Sequence, residues 1–390
     1  MSIVANAYNL LVAQGVSEEN LKAVLFTHLW YRSKDNEYVS ESVFDTRSTF
    51  GASSIFTRRS RLQAELYRFA TEISRPGNPA RILTGVNIKT IDPSAGVVVA
   101  DTGETYVGDL IIGADGINSA IRGAVLAKSS GPGSVIGISE GTAVPTGIAA
   151  YITVVPAKLI TSDPVLAFQA DGVAGICNWE TPGGKLRVLC YPRDNMEYFQ
   201  VLAFVSETPW IDEFEKNKTS IIKGIPAERV LKDFEAFHPA VKKLLSYAPT
   251  LDLRRIRDIE ALNHWTAGKT ILIGDAAHAV TPHAGQGCNM AIEDAEALGF
   301  LFKDMKLLTS SSASAPAPEI TKQLALFESL RKNRAHHVQF KSRHIGGLLK
   351  GELKEEAGEY DSAAREAFAK MIYGYTGFEA VYKAHLAAEK

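Results

Sequence analysis

A chain of 390 residues is too long for one small core, and at roughly 100 to 200 residues per domain it divides into two or three. Its 46% hydrophobic and 22% charged residues exclude global disorder, because there is ample apolar surface to bury. Lys plus Arg number 42 against 44 Asp plus Glu, a net charge of -2, which excludes the one-signed surface that nucleic acid or anionic lipid requires. The first six residues have neither the basic nor the apolar part of a secretion signal, and no window approaches the roughly 20 apolar residues of a membrane span. A cytosolic (cytoplasmic) location follows as the expectation. Cys177, Cys190 and Cys288 are an odd number in a long chain, so they read as small buried apolar residues rather than a disulfide framework.

In chain order, residues 6–24 carry apolar side chains at helical spacing, as do residues 61–73 through Leu62, Leu66, Phe69 and Ile73. A Pro/Gly turn at 75–79 precedes three strand candidates at 81–84, 85–91 and 97–100. The short apolar run Leu110-Ile111-Ile112-Gly113 reads as a strand buried on both faces, as in a parallel sheet under helices. Between 147 and 207 the texture changes to alternation, with Lys185, Arg187, Leu189 and Tyr191 on one face, which predicts an inserted antiparallel sheet. A parallel-type strand returns at 271–274, followed by a helix over 288–303 with a stripe of Ala291, Ala295, Leu298 and Phe302. Residues 310–318 read as a Ser/Ala/Pro linker, and 319–390 as charged helices.

The strand at 271–274 delivers Asp275 to the carboxyl edge of a parallel sheet, where open α/β sheets bind ligands and a carboxylate can accept from sugar-like hydroxyls. Pro282, Gly285 and Gly287 then build a tight loop whose bare backbone lets a flat ring approach the next helix, whose positive end favours charge on a reduced ring. The plainer reading is a strand-to-helix turn with a capping aspartate. Against it stands the ordered succession Gly274, Asp275, His278, Pro282, Gly285, Gln286, Gly287 and Asp294.

This segment resembles the GD motif of the single-component FAD-dependent aromatic hydroxylases, the group that contains salicylate hydroxylase and para-hydroxybenzoate hydroxylase. Gly108 to Gly116, with Ser119 and Arg122 after it, resembles the family's DG motif, in which Asp115 would lie near the pyrophosphate and the nicotinamide route. Arg59-Ser60-Arg61-Leu62 resembles the segment that gives FAD an arginine, here Arg59. His264-Trp265 with Gly268 resembles the approach to the GD strand, and Leu330-Arg331 with Arg334-Ala335 the later helix. The resemblance implies an α/β, Rossmann-like FAD-binding domain with an inserted antiparallel-sheet substrate domain and C-terminal helices. It implies boundaries at 1–125 and 252–308 for the two FAD-binding parts, 126–251 for the substrate domain and 309–390 for the linker and helices.

It further implies that FAD, with NAD(P)H as co-substrate, uses O2 to oxygenate a small aromatic or polyketide-like molecule. FAD would be held by Arg59, Asp115, Asp275, Pro282, Gly285, Gly287 and Cys288, with Pro282 and His283 at the ring. Tyr191 and Arg187, sharing one face of the inserted sheet, are the candidates at the substrate, though both could be ordinary sheet-surface residues. His278 reads as packing at the strand end rather than an acid–base catalyst.

Two departures from the family pattern stand out. The family opens with a strand, a GxGxxG loop and a helix, about 30 residues with the following strand, whereas this sequence opens on Ser2-Ile3-Val4-Ala5-Asn6-Ala7, which resembles the stretch just after that unit. The expectation is a truncated chain lacking most of the adenosine half of the site; the alternative is a degenerate, non-catalytic relative that does not hold FAD. Second, Ile152 follows Tyr151 where related hydroxylases often carry an arginine, which argues against a carboxylate-bearing substrate held there.

Two other patterns are decoys. Gly137-Ile138-Ser139-Glu140-Gly141 matches the hydrolase nucleophile elbow, but Thr142-Ala143-Val144-Pro145 opposes the helix that must follow. His336, His337 and His344 cannot set two imidazoles one helical turn apart for zinc, and read as solvated.

Overall fold

A computed structural model describes residues 1–43, 45–75, 77–129, 141–167, 174–303, 317–358 and 361–389. Gly137 to Glu140 of the elbow-like segment and most of the linker at 310–318 lie outside the described residues. By contact the chain forms two compact units, Met1–Pro79 with Pro145–Arg257, and Ala80–Val144 with Asp258–Lys390.

The first unit is built on an eight-stranded sheet in the order Ile221–Pro226, Thr250–Asp258, Val144–Pro156, Tyr198–Ser206, Arg187–Arg193, Gly175–Glu180, His28–Ser33 and Tyr38–Val43. Five of its pairs are antiparallel, and Gly175–Glu180 runs parallel to His28–Ser33. That pairing draws the N-terminal residues into the same unit as the inserted sheet, which is why contact divides the chain elsewhere than at 125 and 251. Alternation sorts the two faces. Tyr151, Cys177, Trp179, Val188, Cys190, Val201 and Ala203 pack with Phe214, Phe234 and Leu244 from helices into one core. Cys177 and Cys190 are directly opposite one another there, and burial pushes the Cys177 thiol up to about 12, so both behave as apolar residues.

One long helix was expected over 6–24, but there are two, Ala5–Ala13 and Glu18–Leu21. Gly15 at φ 86° interrupts the run and Ser17 caps the second helix by accepting from Asn20 N. Val24–Leu25 is instead a strand.

The second unit carries two three-stranded sheets. One orders Ile88–Asp92, Val97–Ala100 and Thr105–Val107; the other orders Thr266–Ala267, Thr270–Leu272 and Ile111–Gly113, the last two parallel. The strand expected at 81–84 has no regular pairing among the described residues, and Ile82 and Leu83 are exposed. The run at 110–113 was expected to be buried on both faces. It is an edge strand, paired only with Thr270–Leu272 among the described residues, and Ile112 is 46% exposed. An apolar edge with free backbone groups invites intermolecular pairing. Ile112→Lys should therefore reduce aggregation on concentration, with stability moving by no more than about 0.5 kcal/mol; equal light scattering from the two proteins would count against the edge as the sticky element.

Over this unit lie the helices Gly287–Phe302, Ala317–Ile345, Gly351–Ala357, Ser362–Tyr373 and Phe378–Ala388. Phe300 meets Phe378 at 5.7 Å and Tyr382 at 5.6 Å, and Glu296 accepts from Phe378 N and Tyr375 Oη, so the last helix is fixed to the helix of the GD segment. His336 is not solvated as expected: it packs edge-on to the buried Trp265 at 6.2 Å, and burial lowers its pKa. Among the described residues no helix is long and apolar enough to cross a membrane.

Candidate active site

The turn after Thr270–Leu272 forms the centre of the site. Gly274 takes φ 57° and ψ -142°, a conformation essentially reserved for glycine. A Cβ there would also lie 3.3 Å from that of Ala291. The chain reverses at once into the short helix Asp275–His278, leaving the Asp275 side chain exposed while Ala276, Ala277 and His278 are buried. Asp275 thus stands at the carboxyl end of a parallel strand, as the sequence predicted.

The loop then closes through the turn Pro282–Ala284 and Gly285 at φ 64°, and Gly287 opens the 16-residue helix Gly287–Phe302. A Cβ on Gly287 would sit 3.7 Å from Asp275 Oδ1 and 3.5 Å from Val280 Cγ2, so bare backbone leaves a shallow cradle between Asp275 and the helix start. Gln286, at the N-cap, is 2% exposed, and its Oε1 has no hydrogen-bond partner among the described residues. A buried acceptor left unpaired costs about 1–3 kcal/mol, so the position suits a donor on a bound ligand. A hydroxyl acceptor, a cradle that a side chain would fill, a helix N-terminus and a buried amide oxygen together fit the ribityl and ring end of FAD. Cys288 follows in the first turn, partly exposed.

A largely buried charge network holds this turn. Asp294 Oδ2 accepts from Gly274 N at 2.9 Å and from His278 Nε2 at 2.6 Å, while Oδ1 accepts from Arg331 Nε and Nη2 at 3.1 and 3.0 Å. Glu293 binds Arg331 Nη1 at 2.6 Å and Arg334 Nη2 at 2.7 Å. His278 therefore packs and hydrogen-bonds at the strand end, with the Trp265 ring 5.0 Å away. The sequence singled out Asp294, Arg331 and Arg334 separately, but nothing in it showed that they meet. Glu293 was missed; the available signal was two adjacent acids, Glu293 and Asp294, in the middle of a largely apolar helix.

Within the same unit, Asp115 Oδ2 accepts from Ala120 N at 2.7 Å and Ile121 N at 3.3 Å, capping the helix Ala120–Ser129. Arg122, 3% exposed, donates to Gly141 O at 2.7 Å and Ala276 O at 3.0 Å, so the DG segment is tied to the GD turn through an arginine.

In the other unit Arg59 lies exposed in the first turn of the helix Arg59–Thr71. Its neighbours are occupied: Arg58 Nη2 and Arg61 Nε each reach Asp194, 1% exposed, at 2.7 Å, and Arg193 Nε approaches the same carboxylate at 3.3 Å. This cluster was not foreseen, because Asp194 looks like an ordinary hairpin residue. Burial alone would raise the Asp194 pKa, but hydrogen bonds and charge from Arg61, Arg58 and Arg193 bring it below its ordinary value.

Tyr191 and Arg187 do share a face. Cross-strand pairing sets Ile152, Leu202, Leu189, Asn178 and Tyr31 in one row across the sheet. Arg187 and Tyr191 stand two residues to either side of Leu189, pointing the same way. Arg187 sits 4.8 Å over the Phe204 ring and opposite Glu180. Tyr191 stacks on Phe56 at 4.9 Å, and burial pushes its phenol up to about 12, so it stays protonated and able to donate. The row is apolar from Ile152 through Leu202 to Leu189, with isoleucine rather than arginine at its Ile152 end.

The chain is similar to known proteins over most of its length. Residues 254–305, which span the turn and the whole helix Gly287–Phe302, match the family described as FAD binding domain. Hispidin-3-hydroxylase of Neonothopanus nambi is 28% identical over 358 residues, covering 88% of this chain and 78% of that protein. Salicylate hydroxylase of Pseudomonas putida is 29% identical over 266 residues, 64% of this chain and 54% of that one. A solved salicylate hydroxylase substrate complex superposes with a TM-score of 0.69 at 23% identity, covering 96% of this chain and 87% of that chain, which establishes the fold. The fold and the matched domain are those of an FAD-binding enzyme. Over most of its length the chain is similar to FAD-dependent monooxygenases.

Proposed function

We propose that this chain binds FAD on the Gly274–Cys288 segment and, with NAD(P)H and O2, adds one oxygen atom to an electron-rich aromatic or polyketide-like molecule seated on the Ile152–Leu202–Leu189 row. The observation that carries this reading is the cradle between Asp275 and Gly287, facing the start of a long helix. Relatives named for hispidin and salicylate support an aromatic substrate.

When bound, FAD supplies the chemistry of accepting electrons from NAD(P)H and using them to activate O2. The protein supplies placement. Asp275 accepts from ribityl hydroxyls, and the amides at the start of Gly287–Phe302 meet negative charge on the ring. Pro282, Gly285 and Cys288 shape the loop at the ring, while Arg59 and Asp115 are assigned to the phosphate side. On the substrate sheet, Tyr191 donates to a substrate oxygen and Arg187 orients a polar substituent, while Leu189, Leu202 and Ile152 exclude water. With isoleucine at 152, a neutral phenol or carbonyl suits the row better than a carboxylate.

The test is to supply purified protein with FAD, NADH or NADPH and a panel of phenols, and to follow incorporation of heavy-isotope dioxygen into product by mass spectrometry. Nicotinamide oxidation that yields only peroxide with every phenol would refute the assignment. Arg187→Ala and Tyr191→Phe should each raise KM about tenfold, the scale of one lost polar contact, without altering flavin content. A flavin loss in either variant would move that residue out of the substrate site.

A further inference from the structure

The end of the long helix Ala317–Ile345 lies against the loop that leads into Gly287–Phe302. Ser342 is 0% exposed, and its Oγ donates to Thr281 O at 2.6 Å, lies 2.8 Å from Thr281 Oγ1 and accepts from Ala284 N at 3.2 Å. Gln339 Nε2 donates to Ala279 O at 3.0 Å. Residues 339, 342 and 346 follow one another at helical spacing along a single stripe.

Gly346 is the tightest point of this contact. A Cβ on it would lie 2.2 Å from His283 Cδ2, 2.6 Å from Nε2 and 2.9 Å from Cγ. No side chain fits beside the imidazole in that position. Gly347, next in sequence, is glycine for a different reason: at φ 66° it ends the helix, and Leu348 N donates to Arg343 O at 2.9 Å. Gly346 itself lies outside the left-handed region, so an alanine there meets the His283 ring and no backbone strain.

We propose that Ser342 and Gly346 are positioning residues for the flavin-facing loop. Ser342 sets the backbone from Thr281 to Ala284, and Gly346 provides the notch that fixes the imidazole of His283. The proposal rests on reading Gly274–Cys288 as the flavin site, and extends it to a helix distant in sequence that decides how the loop is presented to the ring.

The test uses the full chain with Gly346→Ala, Ser342→Ala, His283→Ala and the Gly346→Ala/His283→Ala double variant. Without FAD, amide hydrogen exchange over residues 281–286 should rise about tenfold in Gly346→Ala and in Ser342→Ala, with 288–302 unchanged. FAD affinity, read by quenching of flavin fluorescence, should fall about tenfold in Gly346→Ala, while the double variant returns to within about twofold of His283→Ala, because the clash needs both partners. Loop exchange equal to that of the parent, or a double variant as weak as Gly346→Ala, would overturn the notch. Faster exchange with unchanged FAD affinity would overturn the positioning role. A parent chain that takes up no FAD while the loop responds as described would instead overturn the flavin reading, and with it the role assigned to the clamp.

Discussion

Replacing Arg331 by methionine lowers the stability of the protein by about 3–5 kcal/mol, the range for breaking a buried ion pair by removing one partner. Arg331 is 1% exposed and faces two carboxylates, Glu293 and Asp294, that are 0% exposed. Methionine fills most of the volume and supplies none of the charge, so the loss reports the stranded carboxylates rather than a cavity. The loss also depends on pH in a definite direction. Burial alone would raise the Asp294 pKa, but the charges of His278 and Arg331, with hydrogen bonds from His278 and Gly274 N, hold it at about 2 against an ordinary 3.8. A depressed folded value means that ionised Asp294 contributes stability above about pH 4, and that this contribution disappears as the pH falls toward 2. The gap between parent and Arg331→Met, measured by urea unfolding, is therefore widest near neutral pH and narrows in acid. A gap unchanged at pH 3 would show that Asp294 owes its ionisation to something other than this arginine.

Asp275→Ala weakens FAD binding about tenfold to a hundredfold, corresponding to the roughly 1.5–3 kcal/mol of hydrogen bonds made by a charged acceptor. Asp275 is exposed and makes no part of the buried network, so the thermal midpoint should stay within a degree or two of the parent, as for surface changes of about 0.5 kcal/mol. The pairing of lost affinity with kept stability separates a ligand-facing carboxylate from a helix cap. A variant that melts early would show that Asp275 holds the turn, and undiminished affinity would remove it from the site.

The site was legible in the sequence wherever function constrains the backbone locally. Gly274, Asp275, Gly285 and Gly287 stood out because a strand, a forbidden turn and a helix start must follow at fixed spacing, and the structure sets them in that order. Arg187 and Tyr191 stood out because a period of two puts them on one face. The sequence misplaced features whose state depends on a partner strand or helix. Residues 81–84 look like a strand, yet pairing is what makes one. Ile112 looks buried by its hydrophobicity, yet among the described residues its strand is paired on one side only. His336 looks solvated from its polarity, yet Trp265 covers it.

What the sequence by itself determined is the succession of conformations around the GD turn, since glycine freedom, proline restriction and helix initiation act over a few residues. Only the tertiary structure decided what holds that turn in place. Asp294 and Arg331 are 37 positions apart, Ser342 and Thr281 are 61 apart, and Arg58 and Asp194 are 136 apart. Each of these contacts exists because desolvation forces a buried polar group to find a partner wherever the packing brings one, and neither spacing nor composition records which partner that is.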